Sequence, residues 1–225
     1  MKVFRLKAKQ NLYTSNAYLV TGEWNAIDDV NTLVDVGADP SMVDDLDEIY
    51  TGVGKKKVDQ VILTHAHSDH TAILPLIRNR YRPVVCAYSG FSDGIDRILR
   101  DGETIRMGEC PFEVIHMPGH TEDSILLFDK NSGALFVGDS PVIIRTPGGS
   151  YQERFVLALK RLCSKNIRTI YFGHGPALQE NALEALRNSL RNVLKSESES
   201  SFGGAPIYAS AVHANPGEVI SHALR

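Results

Sequence analysis

Between residues 65 and 70 the chain reads His65-Ala66-His67-Ser68-Asp69-His70, four side chains able to ligate a metal within six positions. The run follows the apolar stretch Val61-Ile62-Leu63 and precedes a helical one, so it occupies the carboxyl end of a strand, where α/β folds commonly place their sites. His65 and His67 at i and i+2 can point the same way from an extended segment. Asp69 and His70, one turn on, can face a second ion. Imidazole with carboxylate is a donor set suited to zinc, with iron and manganese as alternatives.

Three further ligand types fall after expected strands, each beside glycine: Gly119-His120-Thr121, Gly138-Asp139-Ser140 and Gly173-His174-Gly175. Glycine permits tight turns and close backbone approach, so these read as ligand-presenting loops. The candidate metal ligands are therefore His65, His67, Asp69, His70, His120, Asp139 and His174. Two cations sharing such a set would generate a hydroxide at neutral pH, a nucleophile that needs no serine or cysteine. His116 lies inside an apolar segment and is read as structural. Arg145, Tyr151 and Arg187 follow the ligand loops and are weaker candidates for substrate contact.

These residues need a scaffold, and the apolar periodicity supplies one. Strands are expected at residues 3–6, 17–20 and 31–36 as an antiparallel meander. They continue at 58–64, 83–88, 103–106, 112–117, 124–128, 134–137 and 167–172. Helices are expected at 41–50, from 72 onward, at 150–163 and at 176–195. Asp129-Lys130-Asn131-Ser132-Gly133 should turn a hairpin. Two β-rich halves, each with helices, predict two sheets face to face with helices outside both, a four-layer αββα sandwich. A catalytic unit over 1–195 is expected, followed at 196–225 by the polar linker Ser196-Glu197-Ser198-Glu199-Ser200-Ser201 and a tail. The tail is read as a docking strand, a loose terminus or the arm of a homodimer.

The composition narrows the class of function. With 225 residues, 43% hydrophobic and 23% charged, the chain can bury a core without staples. A net charge of −3 with no basic block argues against nucleic acid as a partner, leaving a small-molecule substrate. Three widely spaced cysteines suit a reducing compartment, and no signal-like or membrane-spanning run is seen, so a cytoplasmic location is expected.

The H-x-H-x-D-H run, the later G-H-T, the G-D after a strand and the final G-H-G resemble the metallo-β-lactamase fold superfamily over roughly residues 1–195. The resemblance implies that His65, His67 and His120 hold one metal, that Asp69, His70 and His174 hold the other, and that Asp139 bridges them. It also implies that Asp35 supports the ligands from behind. His67 stands where flavodiiron proteins carry glutamate, and Asp139 stands where many β-lactamases carry cysteine, which disfavours both branches. The pattern is most similar to glyoxalase II and related thioesterases and lactonases. The implied activity is hydrolysis of a thioester, ester or lactone, with Asp69 orienting the nucleophile or moving its proton. Glyoxalase II adds a helical glutathione-binding domain, and only 51 residues follow His174, so a glutathione thioester is not expected.

The principal rival is a persulfide dioxygenase with one iron on His65, His120 and Asp139. That family's G-C-G-R-T-D-F stretch is absent from Ser140-Pro141-Val142-Ile143-Ile144-Arg145-Thr146. A phosphodiesterase or nuclease ranks below it, and a non-enzymatic binding module last.

Overall fold

The computed structural model describes residues 1–9, 12–89 and 94–200, with side chains through 195. Its first sheet orders β1 (Lys2–Arg5), β2 (Tyr18–Thr21), β3 (Thr32–Val34), β4 (Gln60–Ile62), β5 (Val84–Ala87) and β6 (Arg97–Ile98) side by side. The β1–β2–β3 part is the expected antiparallel meander, and from β3 onward the strands run parallel. The second sheet comprises β7 (Thr104–Met107), β8 (Cys110–His116), β9 (Ile125–Asp129), β10 (Ala134–Gly138) and β11 (Thr169–Phe172) in sequential order. All its pairs are antiparallel except β10 with β11.

Alternation along the strands builds three apolar layers. On one face of the first sheet, Leu19, Leu33, Val61 and Val85 meet Met42, Val43 and Leu46 of α1 (Met42–Glu48), and Leu74 and Ile77 of α3 (Leu74–Tyr81). On the other face, Val20, Val34, Ile62 and Cys86 meet Phe112, Val114, Leu127 and Phe136 of the second sheet. The outer face of that sheet presents Ile115, Leu126, Leu135 and Val137 to α4 (Glu153–Cys163) and α5 (Ala182–Ser200), through Phe155, Leu159, Leu186 and Val193. The result is the expected αββα sandwich. Neighbouring residues of a strand serve different layers, which is why strands such as β10 are apolar at nearly every position.

The structure corrects three local expectations. The helix expected from Pro176 starts at Ala182, because Leu178 exchanges backbone hydrogen bonds with Ile170 and extends the sheet instead. The stretch expected as a linker from Ser196 is helical through Ser200. Once a helix is nucleated, adding serine and glutamate costs little. Strand β6 was not anticipated, since two exposed residues carry no alternation. The tail assigned a docking or dimer-arm role lies in 201–225, outside the described residues. Among the described residues no helix is long and apolar enough to cross a membrane.

Candidate metal centre

Every candidate ligand leaves the carboxyl end of a strand or the turn after it. His65, His67 and Asp69 follow β4, and His70 lies in the single turn α2 (Ser68–Thr71) that comes next. His120 follows β8, Asp139 follows β10, and His174 follows β11. Because these strand ends converge, all seven residues meet at one end of the sandwich. They form two groups, His65 with His67 and His120, and Asp69 with His70, Asp139 and His174. Within each group the ligand atoms lie within 4.8 Å of one another.

In the first group His67 Nδ1 and His120 Nε2 are 2.9 Å apart, with the His65 ring 4.7 Å and 4.8 Å from theirs. In the second, Asp69 Oδ2 lies 3.0 Å from His174 Nε2 and 3.7 Å from His70 Nε2. Asp139 touches both groups. Its Oδ1 is 3.2 Å from His70 Nε2, and its Oδ2 is 3.4 Å from His174 Nε2 and 3.7 Å from His120 Nε2.

Backbone and neighbours hold this geometry from behind. Asp35 follows β3 in the left-handed region at φ 55°, with its carboxylate buried. Its Oδ1 accepts the Thr64 N–H, and its Oδ2 accepts the Thr64 hydroxyl and contacts His70 Nδ1, each at 2.8 Å. Thr64 Oγ1 in turn lies 3.1 Å from His65 Nδ1, so one carboxylate orients a ligand of each group. Two glycines are dictated by space. A Cβ on Gly173 would lie 2.1 Å from Asp139 Oδ1 and 2.7 Å from His70 Cε1. A Cβ on Gly138, at φ +52°, would lie 2.4 Å from Thr64 Oγ1.

The electrostatics follow from burial and crowding. Burial, and then the charge on His70, push the His65 imidazole down to about 3. Burial also acts to lower His70, but Asp35 and Asp139 outweigh it and raise that imidazole to about 10. Burial works to raise the Asp139 carboxyl, yet His174 and His70 beside it hold it well below the usual carboxylate range. The Asp139 carboxylate raises His174.

The donor set fits a divalent cation. His65 Nε2 is buried with no hydrogen-bond partner, and the buried His70 Nε2 and Asp139 Oδ1 have only each other, at 3.2 Å. Such atoms cost roughly 1–3 kcal/mol each when left unsatisfied. Imidazole nitrogens and carboxylate oxygens converging on one space are the ligands of zinc, iron and manganese sites.

His116, read from the sequence as structural, stacks its ring on Tyr88 with centroids 4.0 Å apart, and its Nε2 contacts the Glu122 carbonyl at 2.8 Å. Of the weaker candidates, Tyr151 bonds the Gly148 carbonyl and stacks on Phe155, and Arg187 lies on α5 near Cys163. Arg145 is exposed in the loop after Asp139. A residue that sequence reasoning missed is Tyr13, whose ring stacks on His174 with centroids 5.1 Å apart and whose hydroxyl is 3.4 Å from His174 Nε2. Burial and the charges of Asp69 and Asp139 push its phenol up. One of eight tyrosines, far from every ligand in sequence, it carried no signal.

The chain is similar to several known proteins. The chain is 26% identical over 174 residues to an atrochrysone carboxyl ACP thioesterase of Cryptosporiopsis sp. (strain 8999), covering 76% of this chain and 52% of that protein. It is 34% identical over 90 residues to a probable hydroxyacylglutathione hydrolase of Schizosaccharomyces pombe, covering 38% and 35%. The chain thus spans about half or less of the length of these two relatives. Among solved structures, ETHE1 from Myxococcus xanthus shares the fold at a TM-score of 0.64 and 21% identity, covering 87% of this chain and 89% of that one. A family model described as the metallo-beta-lactamase superfamily matches residues 11–174, a span that contains all seven candidate ligands. The chain belongs to the metallo-beta-lactamase superfamily.

Proposed function

We propose that this chain is a metal-dependent hydrolase of acyl thioesters, with ester or lactone carbonyls as related substrates. The observation that carries the reading is the Asp139 carboxylate, whose two oxygens face His70 on one side and His120 on the other. In this reading His65, His67 and His120 hold one divalent ion, and Asp69, His70 and His174 hold a second. Asp139 is shared between them, and zinc suits the donors. The ion pair supplies, when bound, a hydroxide at neutral pH and a Lewis acid for the carbonyl oxygen.

The chain's own residues do the rest. Asp35 and Thr64 fix the imidazoles of His70 and His65, so little reorganisation accompanies the reaction. Asp69, whose carboxylate lies 3.0 Å from His174 within the cluster, would orient the attacking water and accept its proton. The thioesterase and acylglutathione hydrolase names of the relatives support the choice of thioesters. The acidic balance supports a small-molecule substrate rather than nucleic acid, and the free cysteines support a cytoplasmic location.

The test is elemental analysis of protein purified without added metal, paired with hydrolysis of a thioester panel and oxygen uptake on a persulfide. Two ions per chain with thioester turnover are expected. One iron per chain with persulfide-dependent oxygen uptake would overturn the reading in favour of a dioxygenase.

A further inference from the structure

Tyr13 lies on the segment joining β1 to β2, and that segment is fastened to the metal centre at several points. The Ser15 N–H donates to the Asp69 carbonyl at 3.1 Å, and the Asn16 N–H to the Gly173 carbonyl at 2.6 Å. Asn16 Nδ2 donates to the carbonyls of Phe172 and Gly175 at 2.9 and 2.8 Å. Thr14 Oγ1 accepts the Ala38 N–H at 2.7 Å. The backbone on one side of Tyr13 is therefore tied to the turns that carry Asp69 and His174, so its position relative to those ligands is set by the fold.

The side chain is 71% exposed, which leaves it open to a bound molecule. Its hydroxyl nevertheless stands 3.4 Å from His174 Nε2, the same nitrogen that faces Asp69 Oδ2 at 3.0 Å and Asp139 Oδ2 at 3.4 Å. A phenol is a hydrogen-bond donor at neutral pH. A donor fixed at the open rim of a site that adds water to a carbonyl can meet the oxygen on which charge gathers.

We propose that Tyr13 is a catalytic residue whose phenol O–H donates a hydrogen bond to the thioester carbonyl oxygen as the reaction proceeds. This rests on the hydrolase reading above. Water's oxygen bonds to the carbonyl carbon and the C–S bond breaks. The sulfur leaves with the bonding pair, and the water protons pass to the thiol and to solvent. The phenol keeps its proton throughout.

Tyr13→Phe separates this role from mere support, because it keeps the ring that stacks on His174 and removes only the hydroxyl. In the metal-loaded full chain, elemental analysis should show unchanged metal per chain. The kcat should fall about tenfold to a hundredfold with KM within about twofold, less than the roughly hundred- to thousandfold of a buried oxyanion donor because the side chain is exposed. Calorimetric titration with phenylphosphonate, whose tetrahedral anionic oxygens resemble the adduct, should show an affinity loss of about tenfold. Turnover and phosphonate affinity both within about twofold of the parent protein would overturn the proposal. So would loss of metal in Tyr13→Ala with full activity in Tyr13→Phe, which would leave Tyr13 a positioning residue. If the parent hydrolyses no thioester yet binds the phosphonate in a Tyr13-dependent way, the thioester reading fails while the donor role of Tyr13 stands.

Discussion

The two ligand groups at the end of the sandwich differ in charge, burial and support. His65, His67 and His120 are three imidazoles without a carboxylate of their own, and His67 is exposed. Asp69, His70, Asp139 and His174 include two carboxylates, and the buried His70 is gripped from behind by Asp35. Anionic, oriented ligands bind a cation more firmly, whereas neutral imidazoles leave more of its charge available to polarise a substrate. On the proposed hydrolase reading, the second group would retain its ion and the first would activate substrate, with Asp139 coupling them.

Removing the coupling residue is the strongest way to break this contrast. Asp139→Ala is expected to drop metal content to one ion per chain or fewer. It should lower thioester turnover on the order of a thousandfold, since a metal contributes several kcal/mol to the transition state and each decade is about 1.4 kcal/mol. Elemental analysis beside steady-state kinetics checks both.

Asp35→Asn sharpens the contrast by loosening the second group directly and the first only through Thr64. The amide oxygen can still accept the Thr64 N–H, but its NH₂ cannot accept from the Thr64 hydroxyl and His70 Nδ1. Zinc affinity of one site should fall about 10- to 100-fold while the other changes less. Competition titration against a chelator would then show two separated steps. A uniform loss at both sites would contradict the division of labour.

Gly173→Ala tests the same wall by shape alone, since its Cβ would intrude on Asp139 and His70 without any change of charge. Folding stability should fall by about 1–3 kcal/mol, read from denaturant melts. The metal loss should be smaller than in Asp139→Ala.

The smallest effect is expected away from the site. Glu113, placed between Arg161 and Lys165, is pushed up by burial but held below the usual carboxylate range by those two cations. A lowered carboxyl pKa gives stability that is present above the unfolded value and lost as pH falls through the folded one. Glu113→Gln should therefore cost up to about 1 kcal/mol at pH 7, and the difference from the parent should vanish in acid. Thermal melts of both proteins from pH 7 down to pH 3 check this, and a gap that persists in acid would rule out the pair as its source.

Much of the site was legible because its first half is local. His65, His67, Asp69 and His70 share one strand end and one turn, so residue types and spacing sufficed. The order of strands and helices also carried the layering, since two β-rich halves each with helices imply two sheets with helices outside both. Other features carry no local signal. Strand β6 is two exposed residues, and the start of α5 was displaced by the bridge between Leu178 and Ile170.

By itself the sequence determined which residues could ligate a metal, that each would leave a strand end, and that the strands alternate between faces. These are consequences of side-chain chemistry and of a two-residue period. Only the tertiary structure decided that His120 meets His67 across 53 residues, that His174 meets Asp69 across 105, and that Tyr13 meets His174 across 161. Those distances depend on strand order, register and the stacking of two sheets. All three are fixed by long-range burial summed over three apolar layers, and no local pattern encodes that sum.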